Sequence, residues 1–86
     1  MLKGKTAVVT GGSRGIGEAI VKEFASMGAD VAIIYAGNTA AAEAVCEYVK
    51  TTCGIKAGIY RCDVSDYMAA KETVAAIRSD FGGAQI

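Results

Sequence analysis

The residues best placed to do chemistry form one run, Thr10-Gly11-Gly12-Ser13-Arg14-Gly15-Ile16-Gly17. The apolar stretch Thr6–Thr10 precedes it and an amphipathic stretch follows. A glycine-rich turn that opens a helix is suited to holding an anion. A helix N-terminus offers unpaired backbone N–H groups and a partial positive charge. A phosphate or pyrophosphate placed there is stabilised by both. Glycines let the chain turn sharply and approach such a ligand with no Cβ in the way. The run therefore predicts a cradle for a phosphorylated ligand.

The spacing narrows the choice. The glycines follow G-x-x-x-G-x-G. The pattern G-x-G-x-x-G fails, because Ile20 stands three residues after Gly17. Gly12 and Gly17 have the spacing of a nucleoside-triphosphate loop, but Glu18 stands where that loop requires lysine. A plain glycine turn without a ligand is the competing reading. The strand before it and the helix after it favour the ligand.

The elements that must position this turn are legible in the chain. Thr6–Thr10, Asp30–Tyr35 and Ile55–Cys62 are short apolar runs. Such runs suit strands buried on both faces, as in a parallel sheet. Between them lie three helical patterns with apolar stripes. The first stripe is Ile16, Ala19, Ile20, Phe24 and Met27, and the second is Ala41, Ala44, Val45, Tyr48 and Val49. The third is Ala70, Val74, Ile77 and Phe81. Gly28, Gly54 and Gly82-Gly83 follow the helices where C-terminal caps are expected. Asn38 or Thr39 can cap the second helix, and Ser65 or Asp66 the third. Strand–helix alternation with short connections argues right-handed crossovers. The expected fold is α/β: a Rossmann-type three-layer αβα arrangement around a parallel sheet, here a partial β-α-β-α-β-α half. Residues 1–86 are expected to form the N-terminal, ligand-binding half of one such domain.

Composition excludes several classes. Of 86 residues, 52% are hydrophobic, and nine basic side chains balance nine acidic ones. This balance argues against disorder and gives no electrostatic case for nucleic acid or an anionic membrane. No apolar run approaches the ~18 residues of a membrane helix. The start resembles no signal peptide, so the chain reads as cytoplasmic. Cys46, Cys53 and Cys62 match no zinc spacing, and histidine is absent, so no metal site is expected. The thiols read as buried or half-buried residues of a reducing compartment. A chain this short buries only roughly 60–65% of its unfolded surface, so its stability margin is thin.

The segment Thr10–Gly17 resembles the T-G-x-x-x-G-x-G cofactor motif of the short-chain dehydrogenase/reductase family. With Tyr35-Ala36-Gly37-Asn38 and Asp63-Val64, the chain is most similar to bacterial 3-oxoacyl-(acyl-carrier-protein) reductases. The resemblance runs from the first strand to the end of the third helix. It implies a dinucleotide site made of Gly11, Gly12, Ser13, Arg14, Gly15, Ile16, Gly17, Tyr35, Ala36, Asn38, Asp63 and Val64. The glycine segment would hold the pyrophosphate and adenosine ribose, with Ser13 and Arg14 facing the ribose phosphate. Asp63 would meet the adenine amino group, and Val64 would lie beside the ring. The physical alternative for Asp63 is a helix cap.

An NAD site usually carries an acid at the end of the second strand, for the ribose hydroxyls. Here Tyr35-Ala36-Gly37-Asn38 has none, while Arg14 is available for a 2′-phosphate. NADP(H) is the expected cofactor. The resemblance further implies a 3-oxoacyl reductase of fatty-acid synthesis. Its partner would be a substrate carried on acyl carrier protein, and the complete protein would be a homo-oligomer, a tetramer. A non-catalytic NADP(H)-binding module or inactive fragment is the alternative, and another short-chain carbonyl or acetoacetyl-thioester reductase is a further one.

The family's catalytic serine, tyrosine and lysine are expected beyond Ile86. The string Tyr67-Met68-Ala69-Ala70-Lys71 imitates the family's Y-x-x-x-K. It opens the third helix and has no partner serine in a matching context. It reads as a surface pair. In the family the fourth strand begins near Gly82–Ile86, and without it one edge of the first strand would stay unpaired.

Overall fold

The computed structural model describes residues 2–11, 15–63, 65–82 and 84–85, the last two by their backbone alone. The elements are β1 (Lys5–Thr10), α1 (Gly15–Ser26), β2 (Asp30–Tyr35), α2 (Thr39–Cys53), β3 (Ala57–Arg61), α3 (Tyr67–Phe81) and β4 (Ala84–Gln85). All strand pairs are parallel, in the order β3-β2-β1-β4. The Rossmann-type α/β arrangement expected from the sequence is therefore present. It carries one addition, the short β4, which pairs Ala84 with Lys5 and Gln85 with Thr6. The edge of β1 expected to be bare is covered at its first two residues.

The sheet is built on β2. Val31, Ala32 and Ile33 have no exposed surface. Side chains alternate across a strand, so β2 feeds two cores. Val31 and Ile33 pack with Val9, with Val21 and Ala25 of α1, and with Val45 and Val49 of α2. Ala32 and Ile34 pack on the other face with Cys62 and with Ile77 of α3. The layers are thus α1 and α2 on one side and α3 on the other.

The helix faces differ from the expected stripes. In α1 the buried residues are Val21 and Ala25, whereas Ile16 is 82% and Ile20 41% exposed. Ala19 is also exposed. This helix is apolar on two faces, and the one with Val21, Phe24 and Ala25 is turned to the core. In α2, Val45 and Val49 are buried as expected, but Ala42 joins them and Tyr48 points outward. Lys22 bridges the helices there: it pairs with Glu18 and lies 4.5 Å from the centre of the Tyr48 ring. In α3 only Ile77 is fully buried, and Val74 is exposed.

Caps close the helices. The Asn38 side chain accepts the Ala41 N–H at 2.9 Å, and Asp66, not Ser65, accepts that of Ala69 at 3.2 Å. Gly54 ends α2 in the left-handed region and donates its N–H to the Lys50 carbonyl, the conformation that favours glycine. Gly82 donates to the Arg78 carbonyl after α3; Gly83 lies outside the described residues. A polar clamp ties α3 to the outer strand. The Tyr60 hydroxyl donates to Asp80 Oδ2 at 2.7 Å, and Lys56 Nζ donates to the Asp80 carbonyl. The Lys56 ammonium also lies 4.8 Å from the centre of the Phe81 ring. Burial, then the Asp80 hydrogen bond and charge, push the Tyr60 hydroxyl up to about 12.

Among the described residues no helix is long and apolar enough to cross a membrane, and no cluster of three metal-ligating side chains occurs. The three thiols are free; Cys62 is buried, and Cys46 and Cys53 are half-buried. Burial raises the Cys46 thiol above its ordinary pKa, which makes it less reactive.

The burial pattern separates two residues that the α3 stripe placed together. Ile77→Ala should cost about 2–5 kcal/mol, and Val74→Ala within about 0.5 kcal/mol of nothing. Urea unfolding of both variants checks this; equal losses would contradict the observed rotation of α3.

Candidate dinucleotide site

Parallel register brings three strand ends to one level. Thr10 of β1 pairs with Ile34 of β2, and Tyr35 of β2 with Arg61 of β3. The Gly11 N–H then donates to the Ile34 carbonyl, and the Cys62 N–H to the Tyr35 carbonyl, both at 2.8 Å. The chain leaves the sheet at Gly11, Ala36 and Asp63 in one place. A cavity of about 280 Å³ opens there. Its walls are Thr10 and Gly11 after β1, Ile34, Tyr35 and Ala36 at the end of β2, and Cys62 and Asp63 after β3. Ligand pockets commonly measure ~300–1,000 Å³, so this volume suits one part of a dinucleotide. The carboxyl ends of parallel strands are where open α/β sheets bind ligands.

Of the glycine run, Gly11 lines this cavity. Gly12, Ser13 and Arg14 are outside the described residues, as is Val64. Gly11 and Gly15 flank the turn with φ of +70° and +64°. Among the described residues, a Cβ on either would meet nothing within 4 Å. Their backbone conformation favours glycine at both positions. Helix α1 begins at Gly15, so the N–H groups of Gly15, Ile16 and Gly17 have no intrahelical acceptor. Ile16 projects into solvent.

The remaining site residues play unequal parts. Tyr35 lines the cavity, but its side chain is only 7% exposed. Its hydroxyl accepts a hydrogen bond from that of Thr39 at 3.2 Å. Ala36 and Asn38 are exposed. The Asn38 amide oxygen is committed to capping α2. No carboxylate stands between Tyr35 and Asn38.

Asp63 is exposed, and its Oδ1 accepts from the Ser65 hydroxyl at 2.7 Å and the Ser65 N–H at 3.0 Å. Those bonds, the hydroxyl first, hold its carboxyl below the usual range. Because Asp66 caps α3, Asp63 is spared the capping role. Ser65 was not among the expected site residues. The spacing Asp63-x-Ser65 is the signal that could have found it, since Asp side chains bond the backbone two residues on.

Tyr67 and Lys71 lie elsewhere, on the outer face of α3. They line a cleft of about 450 Å³ with Ala70, Val74, Ala75 and Arg78. A third cleft, about 620 Å³, sits among Lys3, Gly28 and Gly54 at the amino ends of the strands.

The description "short chain dehydrogenase" matches residues 5–86. The chain belongs to the short-chain dehydrogenase family. It is 47% identical over 81 residues to a sorbose reductase of Candida albicans, covering 94% of this chain and 28% of that protein. It is 41% identical over 83 residues to an NADP-dependent mannitol dehydrogenase of Hypocrea jecorina, covering 94% and 31%. Among solved structures it resembles the L-sorbose reductase of Gluconobacter frateurii complexed with NADPH and L-sorbose. There the TM-score is 0.88 at 32% identity, over 96% of this chain and 31% of that one. The chain thus spans about a third of the relatives it matches. These three are named as sugar or polyol enzymes, and none of them as a 3-oxoacyl-(acyl-carrier-protein) reductase.

The Asp63–Ser65 contact makes a pH prediction. A depressed carboxyl pKa lends stability above its ordinary range, and this is lost as pH falls through the lowered value. Ser65→Ala should move the Asp63 titration up toward an ordinary carboxylate, read by carbon NMR of the side-chain carboxyl. An unchanged midpoint would show that Ser65 does not set it.

Proposed function

We propose that this chain is the NADP(H)-binding part of a short-chain carbonyl reductase. The observation that carries the reading is the meeting of Gly11, Ala36 and Asp63 around one cavity, beside the open N-terminus of α1. Gly11 through Gly17 hold the pyrophosphate and adenosine ribose on backbone N–H groups. Asp63, hydrogen-bonded by Ser65, accepts from the adenine amino group, and Val64 lies beside the ring. Arg14 and Asn38 face the 2′-phosphate. The Asn38 oxygen is turned to the helix, so its amide nitrogen is the group left to donate. When bound, the nicotinamide supplies the hydride; the groups that activate the carbonyl belong to the rest of the protein.

The missing acid at the end of β2 favours NADP(H) over NAD(H). The relatives named for NADP and NADPH support the same choice. For the substrate, the sorbose and mannitol names support a ketone on a polyhydroxylated molecule. The 3-oxoacyl reading rests on the Gly11–Gly17, Tyr35–Asn38 and Asp63-Val64 segments and is the second choice.

Calorimetric titration of the chain with NADPH and NADH tests the cofactor. NADPH should bind more tightly, and Arg14→Ala should reduce the ratio by roughly tenfold to hundredfold, the effect of one charge-assisted hydrogen bond. Equal affinities in the natural chain would reject NADP(H), and an unchanged ratio in the variant would remove Arg14 from the phosphate site.

A further inference from the structure

Helix α3 is the most lightly held of the three helices. Val21 and Ala25 bury α1, and Ala42, Val45 and Val49 bury α2, but α3 has only Ile77. Ile77 packs in the cluster of Ala32, Ile34 and Cys62. Ala69 and Ala70 touch the same core, but they are half-buried and each offers a single methyl group. One long side chain fixes a point on a helix and not its direction. A helix resting on such a point can pivot about it.

The direction is set at the far end. Lys56, just before β3, alternates with Gly58 and Tyr60 within it, so all three share the face turned to α3. All three meet the last two residues of the helix. The Tyr60 hydroxyl donates to Asp80 Oδ2 at 2.7 Å, and Lys56 Nζ donates to the Asp80 carbonyl. The same ammonium lies 4.8 Å from the centre of the Phe81 ring. That ring rests against Gly58, 3.6 Å from where a Cβ would stand.

The front of α3 carries a carboxylate of the site. Asp66 caps the helix and donates its N–H to the Asp63 carbonyl at 2.9 Å, so Asp63 follows the first turn. Asp80 lies three residues beyond Ile77, and Asp66 eleven before it. At 1.5 Å per residue these arms measure about 4.5 Å and about 16 Å. A slip of about 1 Å at Asp80 therefore carries the first turn about 3–4 Å, well beyond the tolerance of a hydrogen bond.

We infer that the Tyr60–Asp80 hydrogen bond, backed by Lys56, is a latch that positions the Asp63 carboxylate for the dinucleotide. This rests on the dinucleotide reading above and adds the residues that hold that carboxylate in place from the opposite end of α3. Tyr60 and Asp80 are positioning residues, and neither is among the cavity's walls. They act through the helix, a rigid element with one pivot. A latch closed before the ligand arrives lowers the cost of ordering the site on binding.

Calorimetric titration of the full chain with NADPH reads the latch. Tyr60→Phe and Asp80→Ala break the same hydrogen bond. Each should weaken binding about threefold to thirtyfold, and the double variant no further. Asp80→Asn keeps a carbonyl oxygen for the Tyr60 hydroxyl and should keep the affinity. Amide hydrogen exchange separates positioning from general loosening. With the latch open, exchange should quicken at Ala69 and Ala70, whose N–H groups bond Asp66. Val31 and Ile33 in β2 should keep their rates. Unchanged NADPH affinity in Tyr60→Phe and Asp80→Ala, or exchange quickened equally in β2, would overturn the inference and leave the dinucleotide reading standing. So would an Asp80→Asn chain as weak as Asp80→Ala. If the natural chain does not bind NADPH, the dinucleotide reading fails and the inference falls with it.

Discussion

Burial of β2 on both faces is the constraint from which the rest follows. Val31 and Ile33 face one helix layer, and Ala32 and Ile34 face the other. Fully burying side chains such as Val31 or Ile33 contributes on the order of 1.5–3 kcal/mol each. A slip of one residue would exchange the two faces and set Val and Ile where Ala fits. Register is therefore fixed, and register decides where each strand ends.

The site is a consequence of those ends. From β1 to β3 the chain moves one way across the sheet, with α1 and α2 on one face. From β3 it crosses back over β2 and β1 by α3, on the opposite face, and meets the far side of β1 at β4. Right-handed crossovers require helices to change face when the direction reverses. The reversal falls between β1 and β4, the kind of switch point where open sheets leave a crevice. Gly11 leaves the end of β1 beside that point. Cavity, helix N-terminus and Asp63 thus share one origin, the level carboxyl ends of β1, β2 and β3.

Much of this was legible in the residues. The run Asp30–Tyr35 gave the bounds of β2, because a strand buried on both faces has no polar interruption. Asn38 and the glycine turn were readable because their chemistry is local. The face of α1 was not. Ile16, Ala19 and Ile20 form as good a stripe as Val21, Phe24 and Ala25, and only packing chooses between them. The two residues of β4 carry too little pattern to announce a strand. Tyr67 and Lys71 copied a catalytic string, and their setting on the outer face of α3 separates them from the cavity. Thr39 was legible only as a candidate cap, because its partner, Tyr35, lies across a strand–helix junction, where neither strand nor helix periodicity applies.

The carboxyl ends of β1, β2 and β3 are the proposed seat of the dinucleotide. Amide NMR of the chain during titration with NADPH tests it directly. The largest shifts should fall on Gly11, Gly15, Ile16, Gly17, Ala36, Thr39 and Asp63, with α3 from Ala70 to Arg78 unmoved. Shifts centred on the Tyr67–Arg78 cleft, or on Lys3, Gly28 and Gly54 at the opposite end of the sheet, would contradict it.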